Sequence, residues 1–438
     1  MVMKQRIVII GNSAAGIGAL EAIRKHDRLS SVTLVSAEDE LVYSRCLLSH
    51  FLAGTLGEEG LLFRPADFYR RMEAEILPRR KVESVNPAGQ QVVCDDGAKL
   101  DFDKLLIATG SSPKLPPHIP RKTAGVFVLR TVADAMAIRS GLERARNAVV
   151  LGGGLVGMKA AFALHKRGLR VTVVVRSSYV LSQMIDAGAA ALVMDRLREE
   201  GIEVLTGVDV TGVELQEGKV AAVKITGEGS SASARPCELL IVAKGVDANK
   251  ELVRGTAIQH ETGIITDAHM QTTLENIYAA GDVAETFDVA LETRSINALW
   301  TCAMQQGKIA GLNMAGQARQ YDGSVGLNSL NFPSVDLISF GVVQPAQEAG
   351  YEVLVQRRPA EGVYKKLVLK GDRIKGLVLV NRIDNAGVLW SLLGRKVNVA
   401  GFKDDLLNDR FSYATVLGKG GREEWRRYAQ TSKTARVT

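Results

Sequence analysis

The sequence predicts an α/β fold made of two doubly wound parallel-sheet units, the second set into the first, followed by an α+β unit. Three observations predict it. Ile7-Val8-Ile9-Ile10 runs into Gly11-Asn12-Ser13-Ala14-Ala15-Gly16, and Val149-Val150-Leu151 runs into Gly152-Gly153-Gly154-Leu155-Val156-Gly157. Two further apolar runs, Leu105-Leu106-Ile107-Ala108-Thr109-Gly110 and Ile277-Tyr278-Ala279-Ala280-Gly281-Asp282, each end on a glycine. From Tyr351 the pattern changes to longer strands and a hairpin.

At 438 residues the chain has room for two or three cores. Hydrophobic residues make up 46% and charged residues 24%, the balance of a globular protein in water. No apolar run is long enough to span a bilayer. Met1 to Arg6 lead straight into the first strand without the apolar stretch of a secretory signal, so a cytoplasmic location is expected. The four cysteines, Cys46, Cys94, Cys237 and Cys302, include no Cys-x-x-Cys pair, so no metal site is expected within the chain. The net charge of +7 is moderate and is read as spread over the surface, apart from a basic tail. No nucleic-acid partner is expected.

The elements follow in order. A continuous β-branched run reads as a parallel strand covered on both faces. Gly11 then permits a tight turn and Gly16 a close helix-to-strand approach. The first helical turn, at Ala14 and Ala15, leaves unpaired N–H groups suited to a pyrophosphate. The middle glycine of the usual fingerprint is Ser13 here. Ile17 to Arg24 has helical spacing, and Val32 to Val35 is the next strand. An acidic residue beyond that strand would hold ribose hydroxyls, and Glu38 is expected to do so. Phe51 to Leu77 reads as helical and loop-rich. Thr109 and Gly110 close the Lys104–Ile107 strand at its ligand edge. Pro113, Pro116, Pro117 and Pro120 mark a linker.

Residues 152–157 then give a full G-x-G-x-x-G between strand and helix, which is specific in this setting. The helix is expected from Met158 to Arg167, ended by Gly168. Val171 to Val175 follows, and Arg176 stands where a nucleotide's ribose would lie. Leu239 to Gly245 is another strand ending on a glycine. Asp282 arrives at the carboxyl end of a buried strand, where it can accept hydrogen bonds from a sugar-alcohol chain. Its competing reading is a helix N-cap. Near the end, Tyr364 to Leu369 and Ile374 to Val380 read as a hairpin, with a helix around Val388 to Leu393. These signals divide the chain into residues 1–116 with 250–325, residues 117–249, residues 326–420, and a basic tail at 421–438.

Taken together, the two fingerprints, Ala108-Thr109-Gly110 and Ala280-Gly281-Asp282 resemble the pyridine nucleotide–disulfide oxidoreductase superfamily. That resemblance implies two Rossmann-like dinucleotide-binding domains, with FAD in the first and NAD(P)H in the inserted one. It assigns Gly11, Ser13, Ala14, Ala15, Gly16, Glu38, Arg45, Thr109, Gly110, Gly281, Asp282 and Trp300 to FAD. Gly152, Gly154, Leu155, Val156, Gly157, Arg176 and Gly245 go to NAD or NADP.

Tyr43-Ser44-Arg45-Cys46-Leu47-Leu48-Ser49-His50 is similar to the Tyr-x-Arg-Pro-x-Leu-Ser-Lys segment of ferredoxin and rubredoxin reductases. It places Arg45 along the flavin and His50 near its reactive edge. Trp300 matches an aromatic residue that covers the flavin in that branch. The opening Gly11 to Gly16 is similar to flavin subunits of larger oxidoreductases, such as those of phenylglyoxylate dehydrogenase and tungsten aldehyde oxidoreductases. Lys159 replaces a glutamate that such proteins often carry.

The implied function is hydride transfer between NAD(P)H and FAD, with electrons passed to an iron–sulfur or similar partner. The assembly would be a hetero-oligomer or a homodimer. Two alternatives follow. Cys46 aligns with the redox cysteine of CoA-disulfide reductases and NADH oxidases, where Arg45 or His50 would favour its thiolate. The chain could also be a flavin-bearing scaffold or redox sensor without catalysis.

Overall fold

The computed structural model describes residues 4–39, 42–120, 122–227, 232–332 and 335–418. The basic tail and Leu41 of the Tyr43-containing stretch lie outside them.

The chain opens with β1 (Arg6–Ile10), α1 (Ala14–His26) and β2 (Ser31–Val35). A short helix α2 (Leu48–Leu52) and strand β3 (Glu75–Leu77) follow. The expected helical character of 51–77 is thus confined to short turns, and a strand closes the segment. β4 (Lys104–Ile107) and β5 (Ser111–Pro113) lead into the proline linker.

Past the linker come β6 (Val126–Phe127), α3 (Val132–Leu142) and β7 (Asn147–Leu151). Then α4 (Leu155–Lys166), β8 (Arg170–Val175), α5 (Ala187–Glu199) and β9 (Glu203–Thr206) build the crossovers. β10 (Leu239–Val242) and β11 (Val246–Ala248) complete this unit. The sequence reading began α4 at Met158. It starts earlier, at Leu155, because Gly154 is the N-cap residue and the turn before it is already wound.

The chain then returns through β12 (Ile277–Ala279), β13 (Ala284–Asp288) and α6 (Trp300–Met314). β12 joins the first sheet, whose order is β12-β4-β1-β2-β3, and the second sheet runs β9-β8-β7-β10-β6. In both, the strand before the fingerprint is central and its neighbours are parallel, with Ile9 beside Leu34 and Leu106, and Val150 beside Val173 and Ile241. The two links between the sheets pair antiparallel, β5 on β11.

The C-terminal unit is a five-stranded antiparallel sheet of β14 (Leu327–Phe332), β15 (Val335–Gly341), β16 (Glu352–Arg358), β17 (Val363–Lys370) and β18 (Arg373–Val380), in the order β14-β15-β18-β17-β16. Helix α7 (Ala386–Gly394) covers it. The expected hairpin is β17–β18, turned by Gly371 and Asp372, both at positive φ. Its apolar face is shared with the second unit. Phe332, Val343, Tyr364 and Val380 lie in one buried cluster with Ile185 and Ala189, and the rings of Phe332 and Phe162 stack at 3.7 Å.

Candidate active site

The two fingerprint turns are alike contact for contact. Gly11 and Gly152 both have φ of +120°, a conformation that side chains rarely adopt. Each donates its N–H to the strand beyond, Gly11 to Val35 and Gly152 to Val174, both at 2.9 Å. A Cβ on Gly11 would lie 2.1 Å from the Ala108 carbonyl oxygen, and one on Gly152 2.2 Å from that of Ala243. A Cβ on Gly16 would lie 2.0 Å from the Gly11 oxygen, and one on Gly157 2.0 Å from the Gly152 oxygen. Both turns are therefore shaped by backbone packing alone.

They differ at the middle position. Gly154 has nothing within 4 Å of a would-be Cβ, so open space lies before α4. Ser13 caps α1 in extended conformation without a side-chain capping bond, and its Oγ accepts from Arg45 Nε at 3.4 Å. In neither helix does a side chain cap the first N–H groups, which stay available to an anion. Leu155 is half-buried and Val156 exposed at the start of α4.

Around the first turn, side chains converge from five separate segments of the chain. Asp282 accepts from Arg130 and Ser111, each at 2.8 Å, with its side chain 12% exposed. A strand, β13, follows Asp282 rather than a helix, so the N-cap reading fails there. Arg45 donates to the backbone oxygen of Arg130 at 2.8 Å and to the Glu38 carboxylate. Burial disfavours the Arg45 charge, but Tyr43 and Glu38 outweigh it and hold the guanidinium cationic. Glu38 also accepts from the Tyr43 hydroxyl. A carboxylate has about four acceptor sites, so two engaged donors still leave room for ribose hydroxyls. Thr109 and Asn249 bond reciprocally, Thr109 Oγ1 to the Asn249 oxygen at 2.8 Å and Asn249 Nδ2 to the Thr109 oxygen at 2.9 Å. Gly110, at φ +68°, has only Arg130 within 4 Å of a would-be Cβ.

Helix α6 closes the floor. Gly281 donates its N–H to Gln306 Oε1 at 2.8 Å, and a Cβ on it would meet Ala15 at 3.2 Å. Trp300 begins the helix half-buried, edge-on to Phe63 at 5.1 Å.

The second unit enters this same place. α2 packs on α4. The Cys46 thiol, at the start of that segment, lies in the field of Lys159, Arg130 and Asp282. Burial pushes it above the ordinary thiol range, and Lys159, Ser44 and Arg130 pull it back only in part. Cys46 and His50 keep exposed surface, and Lys159 is half-buried. The structure thus brings Arg45, Cys46, Lys159 and Asp282 together. Arg176 and Gly245 are exposed, after β8 and after β10, on either side of the strand that leads into the second turn.

Four residues went unnoticed in the sequence: Ser111, Arg130, Asn249 and Gln306. A signal for Arg130 was present. Thr131-Val132-Ala133-Asp134 is a capping box, with Thr131 Oγ1 accepting from the Asp134 N–H at 3.1 Å and the Asp134 carboxylate from the Thr131 N–H at 2.8 Å. It marks the start of α3 and places Arg130 just before it. Among the described residues, no cluster of three His, Cys, Asp or Glu side chains could hold a metal ion, and no helix is long and apolar enough to cross a membrane.

A family model described as pyridine nucleotide-disulphide oxidoreductase matches residues 5–307. A second, described as the rubredoxin NAD+ reductase C-terminal domain, matches residues 327–396. The epsilon subunit of the NADH-dependent phenylglyoxylate dehydrogenase of Aromatoleum evansii is 33% identical, over 90% of this chain and 92% of its own. A chain of the covalent putidaredoxin reductase–putidaredoxin complex superposes with a TM-score of 0.82 at 26% identity, covering 90% of this chain and 94% of that one. A NAD-dependent persulfide reductase from A. fulgidus gives 0.83 at 27% identity, covering 94% and 79%.

Proposed function

The chain belongs to the pyridine nucleotide–disulphide oxidoreductase family, and from that premise we propose that it accepts hydride from NAD(P)H and passes electrons to an iron–sulfur or similar partner. Its enzymes use FAD and NAD(P)H. Bound FAD supplies the exchange between a two-electron donor and a one-electron acceptor. The residues present fit it. Gly11 to Gly16 offer a pyrophosphate cradle, Glu38 a ribose acceptor, and Asp282, Arg45, Thr109, Gly110, Gly281 and Trp300 line the path beyond.

Residues 1–116 with 250–325 form the FAD part in this reading, and 117–249 the nucleotide part. There Gly152, Gly154, Leu155, Val156 and Gly157 receive the NAD(P)H pyrophosphate, with Arg176 and Gly245 at its rim. The observation that carries the reading is the packing of α2, which follows Arg45 and Cys46 of the first unit, on α4, the helix that opens at the second glycine turn and carries Lys159. Holding two rings in contact is mainly orientation, which needs little covalent chemistry from the protein. Lys159 supplies positive charge at that contact, and His50 stands on α2 with exposed surface. Residues 326–420 offer the surface for a partner subunit or a second copy, in a cytoplasmic protein.

Anaerobic titration tests this. NADH is expected to bleach the bound flavin. NADPH is expected to do so too, because Val175, Arg176, Ser177 and Ser178 offer no carboxylate against a 2′-phosphate and one exposed guanidinium for it. Flavin left oxidised by both nucleotides would instead support a non-catalytic scaffold.

A second reading is favoured by one observation: Cys46 keeps exposed surface and its thiol lies in the field of Lys159 and Arg130. It would make the protein a disulfide or persulfide reductase. Cys46→Ser separates the two. Dye reduction by NAD(P)H survives the change under electron transfer, and disulfide reduction disappears under thiol chemistry.

A further inference from the structure

Residues 176–186 connect β8 to α5. The end of the second strand in such a unit lies beside the ribose of the adenosine half, so this loop borders the nucleotide site proposed above. It folds back on the glycine turn. Leu181, at φ +56°, donates its N–H to the Gly153 oxygen at 2.7 Å. Ser177 Oγ donates to the Tyr179 oxygen at 2.7 Å.

The outer side of the loop is held from another unit. Gln344 follows β15 in the C-terminal sheet. Its Nε2 donates to the Ser182 oxygen at 2.6 Å and the Ile185 oxygen at 3.0 Å, and it reaches the Tyr179 hydroxyl at 3.0 Å. One side-chain amide carries two N–H groups, so three oxygens of the loop gather on two donors. The neighbouring Val343 is buried with Val180, Leu181 and Ile185. The loop's last residue, Asp186, is gripped by the Tyr364 hydroxyl and the Lys366 ammonium, each at 2.7 Å. On the side of Arg176, which is exposed, the loop is tied through Ser177, whose backbone oxygen accepts from the Gly207 N–H at 3.1 Å.

We propose that Gln344 is a positioning residue for the nicotinamide nucleotide: the C-terminal unit, through this amide, fixes the loop that meets the adenosine end. The proposal rests on the reading that residues 152–157 and Arg176 hold that nucleotide. Gln344 touches no reacting atom, so its effect falls on nucleotide affinity and KM and not on kcat at saturation.

The test uses the full-length holoenzyme. NAD+ and NADP+ binding is measured by calorimetry, and KM and kcat for NADH and NADPH are measured with a dye acceptor. FAD content and melting temperature are followed alongside. Q344M keeps the bulk and removes both donors, and is expected to raise Kd and KM about tenfold, the equivalent of one or two net hydrogen bonds. Q344K restores a donor and is expected to return both to within about twofold of the parent. If Q344M loses its FAD, Q344N, one methylene too short to reach the loop, takes its place. Unchanged Kd and KM in the donor-free variant overturn the proposal, as does a fall in melting temperature alone. Arg176→Ala is the control for the underlying reading. If it raises Kd while Q344M does not, only this proposal fails. If the parent binds neither nucleotide, the reading of the nucleotide site fails and the proposal with it.

Discussion

At the residue scale, the site is a set of charges held by a few short bonds. Asp282 joins Arg130 and Ser111, and Arg130 in turn offers its backbone oxygen to Arg45. Asp282→Asn removes a charge-assisted bond from a mostly buried pair. We expect it to weaken FAD retention roughly tenfold, since such bonds contribute about 1.5–3 kcal/mol. Flavin content after gel filtration checks this. Cys46 yields a second prediction. Its thiol sits above the ordinary range because burial outweighs Lys159, so iodoacetamide should react slowly at neutral pH and faster as pH rises. Lys159→Met removes the opposing cation and should slow the reaction further at any given pH. The residue types at these positions were legible from the motifs. The pairing of Asp282 with Arg130 was not, because 152 residues separate them.

At the scale of elements, one seam matters most. Helices α1 and α6 meet along glycines. A Cβ on Gly307 would lie 2.0 Å from the Ala15 oxygen, one on Gly311 2.4 Å from that of Ala19, and one on Gly18 2.6 Å from that of Met304. Backbones this close leave no room for a methyl group. Gly307→Ala must push α6 off the cradle, costing about 3 kcal/mol. We expect a lower melting temperature and faster FAD loss, read together by thermal shift and flavin fluorescence. Strand and helix order along this part of the chain followed from hydrophobic runs and glycine punctuation. The seam did not. A glycine inside a helix reads only as a weak helix former until the partner backbone is seen.

At the scale of the whole molecule, the C-terminal sheet is bound to the second unit through a shared core and one buried ion pair. The Asp186 carboxylate caps α5 through the Ala189 N–H and pairs with Lys366. Burial alone would raise its pKa, but the Lys366 and Tyr364 bonds outweigh that and hold it below the ordinary carboxylate range. The folded state therefore prefers the charged form. Its stabilisation is complete at neutral pH and fades as pH falls below about 4 toward the depressed folded value. Asp186→Asn strands a lysine that is 9% exposed. It should cost about 3 kcal/mol at neutral pH, and melting curves of parent and variant should converge on acidification. A chain cut after Gly326 should melt lower still, since Phe162 and Ile185 would lose Phe332, Val343 and Tyr364 from their cluster.

The sequence by itself determined the two dinucleotide-binding turns, their order, and the family to which the chain belongs. These depend on local backbone chemistry: a β-branched strand, a glycine at positive φ, and helix N–H groups left free. Only the tertiary structure decided which side chains meet. Arg130 reaches Asp282, Lys159 acts on the Cys46 thiol through its field, and Gln344 grips a loop 159 to 165 residues away. Such contacts form between elements that share no sequence period. Their partners are set by how the two sheets and the C-terminal unit bury their apolar faces together, and no local pattern records that packing.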